Sequence, residues 1–149
     1  MKKLLLVLVA MLFVAGVSAQ QYKNSVGLRV GYGVEAQYER HFSTKNYLEA
    51  NLGLYGFNSF NVNATYNWNL CEWNWTPSAG KWFLSAGVGG SIAAWGGGYF
   101  NIGATGDVAF GIRFNKPVTL SLDYRPTIYF LRNWGAGFAG VGLTCTYNF

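Results

Sequence analysis

The chain has 149 residues, 51% hydrophobic and 18% aromatic, with only 11% charged and a formal net charge of +5. Twenty glycines beside three prolines suit many closely packed strands better than helices or a disordered chain. The basic residues are scattered rather than clustered, and several alternate with acids inside strands, which sets nucleic-acid binding aside.

Lys2 and Lys3 precede an apolar run from Leu4 to Ala15 and the small-residue site Val17-Ser18-Ala19, the pattern of a cleavable secretory signal peptide. That run is well short of the ~20 residues that a bilayer-spanning helix needs. Cleavage is expected before Gln20, so residues 1–19 form the signal peptide and 20–149 one domain. Without Lys2 and Lys3 the formal charge falls from +5 to +3. No cysteine follows the cleavage site, so no lipid anchor is indicated.

The mature part alternates with period two almost throughout, which makes the fold all-β. In the first strand Val26, Leu28, Val30 and Tyr32 oppose Gly27, Arg29 and Gly31. The second runs to Phe42, with Ala36, Tyr38 and Phe42 against Glu35, Gln37, Glu39 and His41; Arg40 breaks its apolar face near the end. Ser43 to Asn46 form a turn. The third strand, Tyr47 to Gly56, sets Leu48, Ala50, Leu52 and Leu54 against Glu49, Asn51, Gly53 and Tyr55. After an Asn58-Ser59 turn, Phe60 to Trp68 gives the plainest alternation, and 69–80, with Pro77, reads as an irregular connector. Strand five spans Lys81 to Ile92, and a glycine turn at 96–98 leads to strand six, Phe100 to Phe114. Asn115-Lys116-Pro117 closes the next hairpin, and strand seven covers Val118 to Thr127. The eighth, Trp134 to Phe149, alternates to its last residue, with Tyr147 and Phe149 on the apolar face.

Eight such segments, an even number and each near the ~9–11 residues of a membrane-crossing strand, predict an eight-stranded antiparallel up-and-down transmembrane β-barrel. A soluble, lipocalin-like barrel would show the same periodicity with its apolar face inward. The polar face here is rich in Gly, Ser, Thr and Asn, which fit a narrow lumen, and charges are nearly absent from the apolar face. Aromatic residues gather at strand ends. One girdle is expected from Tyr32, Phe57, Phe60, Tyr99, Phe100, Tyr129 and Trp134, the other from Phe42, Tyr47, Trp68, Trp82, Phe114, Tyr147 and Phe149. Cys71 and Cys145 fall on opposite sides of such a barrel, wider than the ~7 Å limit for a disulfide, and are expected free.

With this signal peptide, strand count, girdle pattern and terminal Phe149, the chain resembles the small eight-stranded outer-membrane β-barrels of Gram-negative bacteria, especially the compact forms of Bacteroidetes. The resemblance implies an outer-membrane location and contact with outer-membrane lipid. It also implies assembly by periplasmic chaperones and the barrel-insertion machinery, for which Tyr147 and Phe149 match the terminal signal. A monomer is expected. With both termini periplasmic the loops around Gly33, Asn58 and Gly97 are short, which argues against an adhesin or phage receptor.

The inward set comprises Arg29, Glu35, Gln37, Glu39, Glu49, Asp107, Arg113, Asp123 and Arg125. An eight-stranded interior is just wide enough for its own side chains, so the expected role of these charges is a salt-bridged plug. The function expected is structural or envelope maintenance, without catalysis and without a cofactor or bound metal; the alternatives are a narrow pore or ligand-binding transport barrel, and a lipid-acting hydrolase. For the last, His41, Ser43 and Glu49 resemble the residues of barrel lipases that deacylate lipopolysaccharide, but they fall at the wrong end and the acid is spaced differently. If residues 115–117 form a three-residue loop, Arg113 opposes Thr119, Ala109 opposes Asp123 and Asp107 opposes Arg125. This register predicts a buried Asp107–Arg125 ion pair, with Asp107→Ala costing ~3–5 kcal/mol.

Overall fold

The computed structural model describes residues 22–55, 58–131, 135–137 and 140–149, so the expected signal peptide lies outside the described residues. Every regular element among them is a strand: β1 (Asn24–Val30), β2 (Val34–His41), β3 (Asn46–Leu54), β4 (Ser59–Thr76), β5 (Gly80–Trp95), β6 (Tyr99–Phe114), β7 (Val118–Tyr124), β8 (Thr127–Tyr129), β9 (Gly135–Gly137) and β10 (Val141–Asn148). Consecutive strands from β1 to β7 pair antiparallel, β10 pairs with β7, and β1 pairs with β10 to close the ring. The ten segments make eight staves. Pro126 has no N–H to give the ladder, so β7 and β8 are separated there, yet both pair with β6 in one register, Ala109 opposite Asp123 and Thr105 opposite Thr127. β9 lies along β8 as β10 lies along β7, one residue out of register: Gly137 opposes Thr127 and Val141 opposes Tyr124. The architecture is a closed eight-stranded antiparallel up-and-down barrel.

Closure fixes the stagger. Stepping from Arg113 to its partner and onward through Thr119, Thr146, Gly27, Gln37, Asn51, Asn63 and Ser91 leads back to β6 at Gly103, ten residues from the start. With eight staves and ordinary strand spacings this stagger tilts the strands about 40° from the barrel axis. The wall is uneven. β1, β2 and β3 have 7, 8 and 9 residues, whereas β4, β5 and β6 have 18, 16 and 16.

The barrel is polar inside and apolar outside. Among the described residues twenty-three polar or charged side chains are buried against five hydrophobic ones, while Leu28, Val34, Leu52, Val88, Leu122 and Leu143 stand exposed on the outer face. This is the opposite of a soluble barrel's arrangement. Arg40 points outward, exposed, its Nη1 donating to Asn24 Oδ1 at 2.7 Å. Because that bond is solvent-exposed and single, Arg40→Leu is expected to shift the unfolding midpoint by no more than about 0.5 kcal/mol equivalent; a larger loss in a urea titration would give Arg40 a structural role.

Three expectations about placement need correction. Residues 69–76 are not a connector but the continuation of β4, paired with β5 up to a tight turn at 77–79. Register shifts between Asn69 and Cys71 and between Trp73 and Thr76 break the alternation and hide the strand from a period-two reading. Outside, Trp73, Trp75, Trp82 and Phe110 stack on one another with centroids 5.2–6.3 Å apart, and Trp82 Nε1 donates to Thr76 Oγ1 at 2.8 Å. Tyr47, expected in the lower girdle, is buried in the lumen with its hydroxyl 3.0 Å from Ser85 Oγ, since it shares the inward phase of Glu49. Tyr129, expected in the upper girdle, turns into the mouth, where Asn61 Nδ2 donates to its hydroxyl at 3.1 Å. Phe57 and Trp134 lie outside the described residues. Cys71 and Cys145 are free and exposed.

Candidate functional site in the lumen

The polar faces of five staves converge on two arginines halfway along the barrel. Arg29 on β1 stands opposite Glu35 on β2 in the cross-strand register and opposite Thr144 on the other side. Its Nη1 donates to Glu35 Oε1 at 2.9 Å, its Nε to Asp123 Oδ1 at 2.5 Å and its Nη2 to the Gly140 carbonyl at 2.5 Å. A side chain at Gly142 would occupy this space: a Cβ there would come within 2.5 Å of the guanidinium carbon, so only glycine leaves Arg29 room.

Arg125, between β7 and β8, is held from three other staves. Its Nη1 donates to Glu35 Oε2 at 2.8 Å, its Nε to Asp107 Oδ1 at 3.3 Å and its Nη2 to Glu49 Oε1. Glu35 thus links both guanidiniums and also accepts from the Tyr55 hydroxyl at 2.6 Å. Asp123 accepts from Thr144 Oγ1 at 2.7 Å, and Glu49 from Asn51 Nδ2 at 2.7 Å. Every charged member is at most 5% exposed. Buried charges of this kind persist only when paired and hydrogen-bonded; each of the four carboxyl groups meets at least one of the two guanidiniums, which leaves carboxyl groups in excess.

Six of the eight charged residues expected in the lumen network therefore belong to one cluster: Arg29, Glu35, Glu49, Asp107, Asp123 and Arg125. The other two sit nearer the end that carries the termini. Glu39 accepts from Gln37 and lies 3.0 Å from His41 Nε2. Arg113 reaches Glu72 at 2.9 Å and Asn69 at 2.8 Å, with its guanidinium 4.1 Å above the Phe83 ring. Glu72 escaped the sequence reading because it lies in the stretch taken for a connector. Tyr55 and Thr144 were legible as inward residues, but nothing in the pattern marked them as partners of the acids. Tyr147 and Phe149 stack on the outer face with centroids 6.5 Å apart, beside the seam where Asn24 and Phe149 exchange two backbone hydrogen bonds.

The cluster divides the interior. Towards the turns at 31–33 and 96–98 lies a cavity of about 470 Å³, floored by Arg29, Glu35 and Arg125. Below the arginines a void of about 20 Å³ remains, room for roughly one water molecule. Gln37 and Asp107 line it, and each presents a buried oxygen with no partner, Oε1 and Oδ2 respectively. A second cavity, about 210 Å³, opens at the terminal end beside His41, Lys81 and Arg113.

The structure does not assemble His41, Ser43 and Glu49. Glu49 is bound to Arg125, and Ser43 Oγ donates to Asn46 Oδ1 at 2.7 Å within its own turn. His41 Nε2 contacts both Glu39 Oε2, at 3.0 Å, and Ser25 Oγ, at 3.1 Å, so a single ring nitrogen would have to serve acid and nucleophile. Ser25 is also fully buried and donates to Asn148 Oδ1 at 2.7 Å. His41→Ala is accordingly expected to leave lipopolysaccharide acylation unchanged when lipid A from cells expressing the variant is compared by mass spectrometry; lost deacylation would restore the hydrolase reading. Among the described residues no three His, Cys, Asp or Glu side chains are grouped to hold a metal ion.

Comparison with known proteins gives no match among family models, curated proteins or solved structures.

Proposed function

We propose that this chain is an integral outer-membrane protein of a Gram-negative bacterium, of the compact Bacteroidetes kind, whose barrel serves a structural or envelope-maintenance role with a lumen plugged by its own charges. The observation that carries this reading is the inverted solvation of the wall, polar side chains inside and large apolar side chains exposed outside. Leaving that surface in water would cost about 25 cal/mol for each Å² of apolar area, whereas lipid covers it without cost.

Charge placement supports the same orientation. Lys23, Arg40, Lys45 and Lys116 lie at the end where β1 begins and β10 finishes, in turns or beside strand ends, where they would meet headgroups. In this setting residues 1–19 act as the export signal, and Tyr147 with Phe149 forms the aromatic pair read by the insertion machinery after delivery by periplasmic chaperones. The protein works as a monomer in outer-membrane lipid, with no cofactor, nucleic acid or catalysis.

Cell fractionation with gel electrophoresis tests the proposal. The expected result is recovery with the outer membrane and faster migration of the unboiled sample, because a folded barrel binds less detergent than its unfolded chain. Recovery as a freely soluble periplasmic protein would overturn it. A narrow pore is the second reading, favoured by the two cavities that face each other across the ion-pair layer. Discrete conductance steps in a planar bilayer would establish the pore and remove the plug, since the 20 Å³ void passes no solute.

A further inference from the structure

We infer that the 470 Å³ mouth cavity is a binding site for a neutral saccharide of one or two rings, taken either free or as the headgroup of a glycolipid. The volume falls within the ~300–1,000 Å³ of small-ligand sites, and the chemistry of the walls selects the class.

Two aromatic pairs face the cavity from different sides of the ring of strands. Tyr32 and Tyr55, at the β1–β3 side, have centroids 6.4 Å apart; Trp95 and Tyr129, at the β5–β8 side, stand 5.7 Å apart and nearly perpendicular. Such rings offer flat apolar platforms with polar tips. Between them β4 contributes two planar amides. Asn61 is fixed by Ser91 and the Tyr129 hydroxyl, whereas Asn63 is 4% exposed and its Oδ1 has no hydrogen-bond partner.

The floor excludes charged ligands of either sign. Each nitrogen of Arg29 and Arg125 already donates to a carboxylate or to the Gly140 carbonyl, and with four carboxyl groups facing two guanidiniums the layer has no surplus positive charge to attract an anion. Glu35, the one acid that lines the cavity, already accepts from both guanidiniums and from the Tyr55 hydroxyl, so neither of its oxygens is left for a cation. What remains is a ligand with an apolar face to lie on an aromatic ring and hydroxyls to donate to amide oxygens, which is the surface of a sugar ring. An unpaired acceptor such as Asn63 Oδ1 stands to gain from a hydroxyl donor.

The site does not depend on the membrane reading, because it lies in the mouth of the barrel whatever surrounds the wall. The test uses the full mature chain in an amine-oxide detergent, which carries no sugar. Glucose, galactose, N-acetylglucosamine, maltose and lactose are titrated by calorimetry and tryptophan fluorescence. Dodecyl maltoside doped into the micelles supplies the lipid-borne arm, and tetramethylammonium and inorganic phosphate supply the charged controls. The expected result is saturable binding of at least one sugar with Kd about 1 mM or tighter, weakened at least tenfold in Trp95→Ala. Tyr32→Ala, on an exposed turn outside the packed wall, gives the same direction of change without risk to folding, and unboiled gel mobility verifies that each variant is folded. Binding of free sugar assigns a soluble ligand, and binding of the alkyl maltoside alone assigns a glycolipid headgroup. No saturable sugar binding, sugar binding indifferent to both variants, or saturation by either charged control overturns the inference. Should the protein prove soluble, the same titration without detergent still decides it.

Discussion

Arg125→Met is expected to destabilise the folded barrel by about 3–5 kcal/mol, read from the urea midpoint of the heat-modifiable band. The substitution keeps most of the side-chain volume, so packing contributes little. What it removes is, among the described residues, the only guanidinium that binds Glu49 and Asp107 and one of two that bind Glu35, all three almost fully buried. Uncompensated buried carboxylates carry the penalty. The reverse deletion is milder, contrary to what a simple one-to-one pair would give. After Asp107→Ala, Arg125 keeps Glu35 and Glu49, and a layer with more carboxyl groups than guanidiniums loses one of the surplus; the loss is expected to fall to about 1–3 kcal/mol. Equal costs for the two variants, or no coupling between them in a double-mutant cycle, would show that the layer is not held by charge pairing.

Gly142→Ala is expected to cost about 3 kcal/mol, a large effect for one methyl group on an inward-facing strand. The new Cβ would meet the Arg29 guanidinium, which must then leave Asp123, Glu35 and the Gly140 carbonyl. Gly53→Ala provides the contrast. Its Cβ would stand 3.0 Å from Glu35 Cγ and 3.1 Å from the Tyr55 ring, contacts relieved by a shift of a few tenths of an ångström that leaves the Glu35 carboxylate on its partners, so the loss should be about 1 kcal/mol or less. Unfolding of both variants under identical urea conditions checks the ranking. If Gly142→Ala were as stable as the parent, Arg29 would have a second place to go and the layer would be looser than its hydrogen bonds indicate.

Alternation and turn chemistry made the strands legible before any coordinates. The three-residue loop at 115–117 requires partners in the same phase, and β6 and β7 pair in that register, with Arg113 opposite Thr119 and Asp107 beside Arg125. The Gly96–Gly98 turn was equally plain, and Gly97 and Gly98 take positive φ of 102° and 79°. What stayed hidden depends on departures from period two or on distance across the lumen. Two register shifts moved 69–76 out of phase and concealed both Glu72 and the tryptophan stack. Tyr47 and Tyr129 were misplaced because an aromatic at a strand end fits a girdle by composition, while only its phase decides the face. The hub role of Glu35 was illegible for a different reason: its two arginines lie 6 and 90 residues away in the chain, and only closure of the barrel brings them together.

The difference in length between β1–β3 and β4–β6 has a consequence for the surrounding lipid. At about 2.5 Å of height per tilted residue, the short side stands about 20 Å tall and the long side about 40 Å, against an apolar band of about 25 Å in outer-membrane barrels. The long side can stand clear of the bilayer, but the short side falls short of the band. In the proposed setting the acyl chains beside β1, β2 and β3 must shorten or the whole barrel must lean, at a cost of some fraction of a kcal/mol for each Å of mismatch. The protein would then carry a crescent of thinned membrane along one flank, so that its orientation about the membrane normal becomes a property its lipid neighbours can sense.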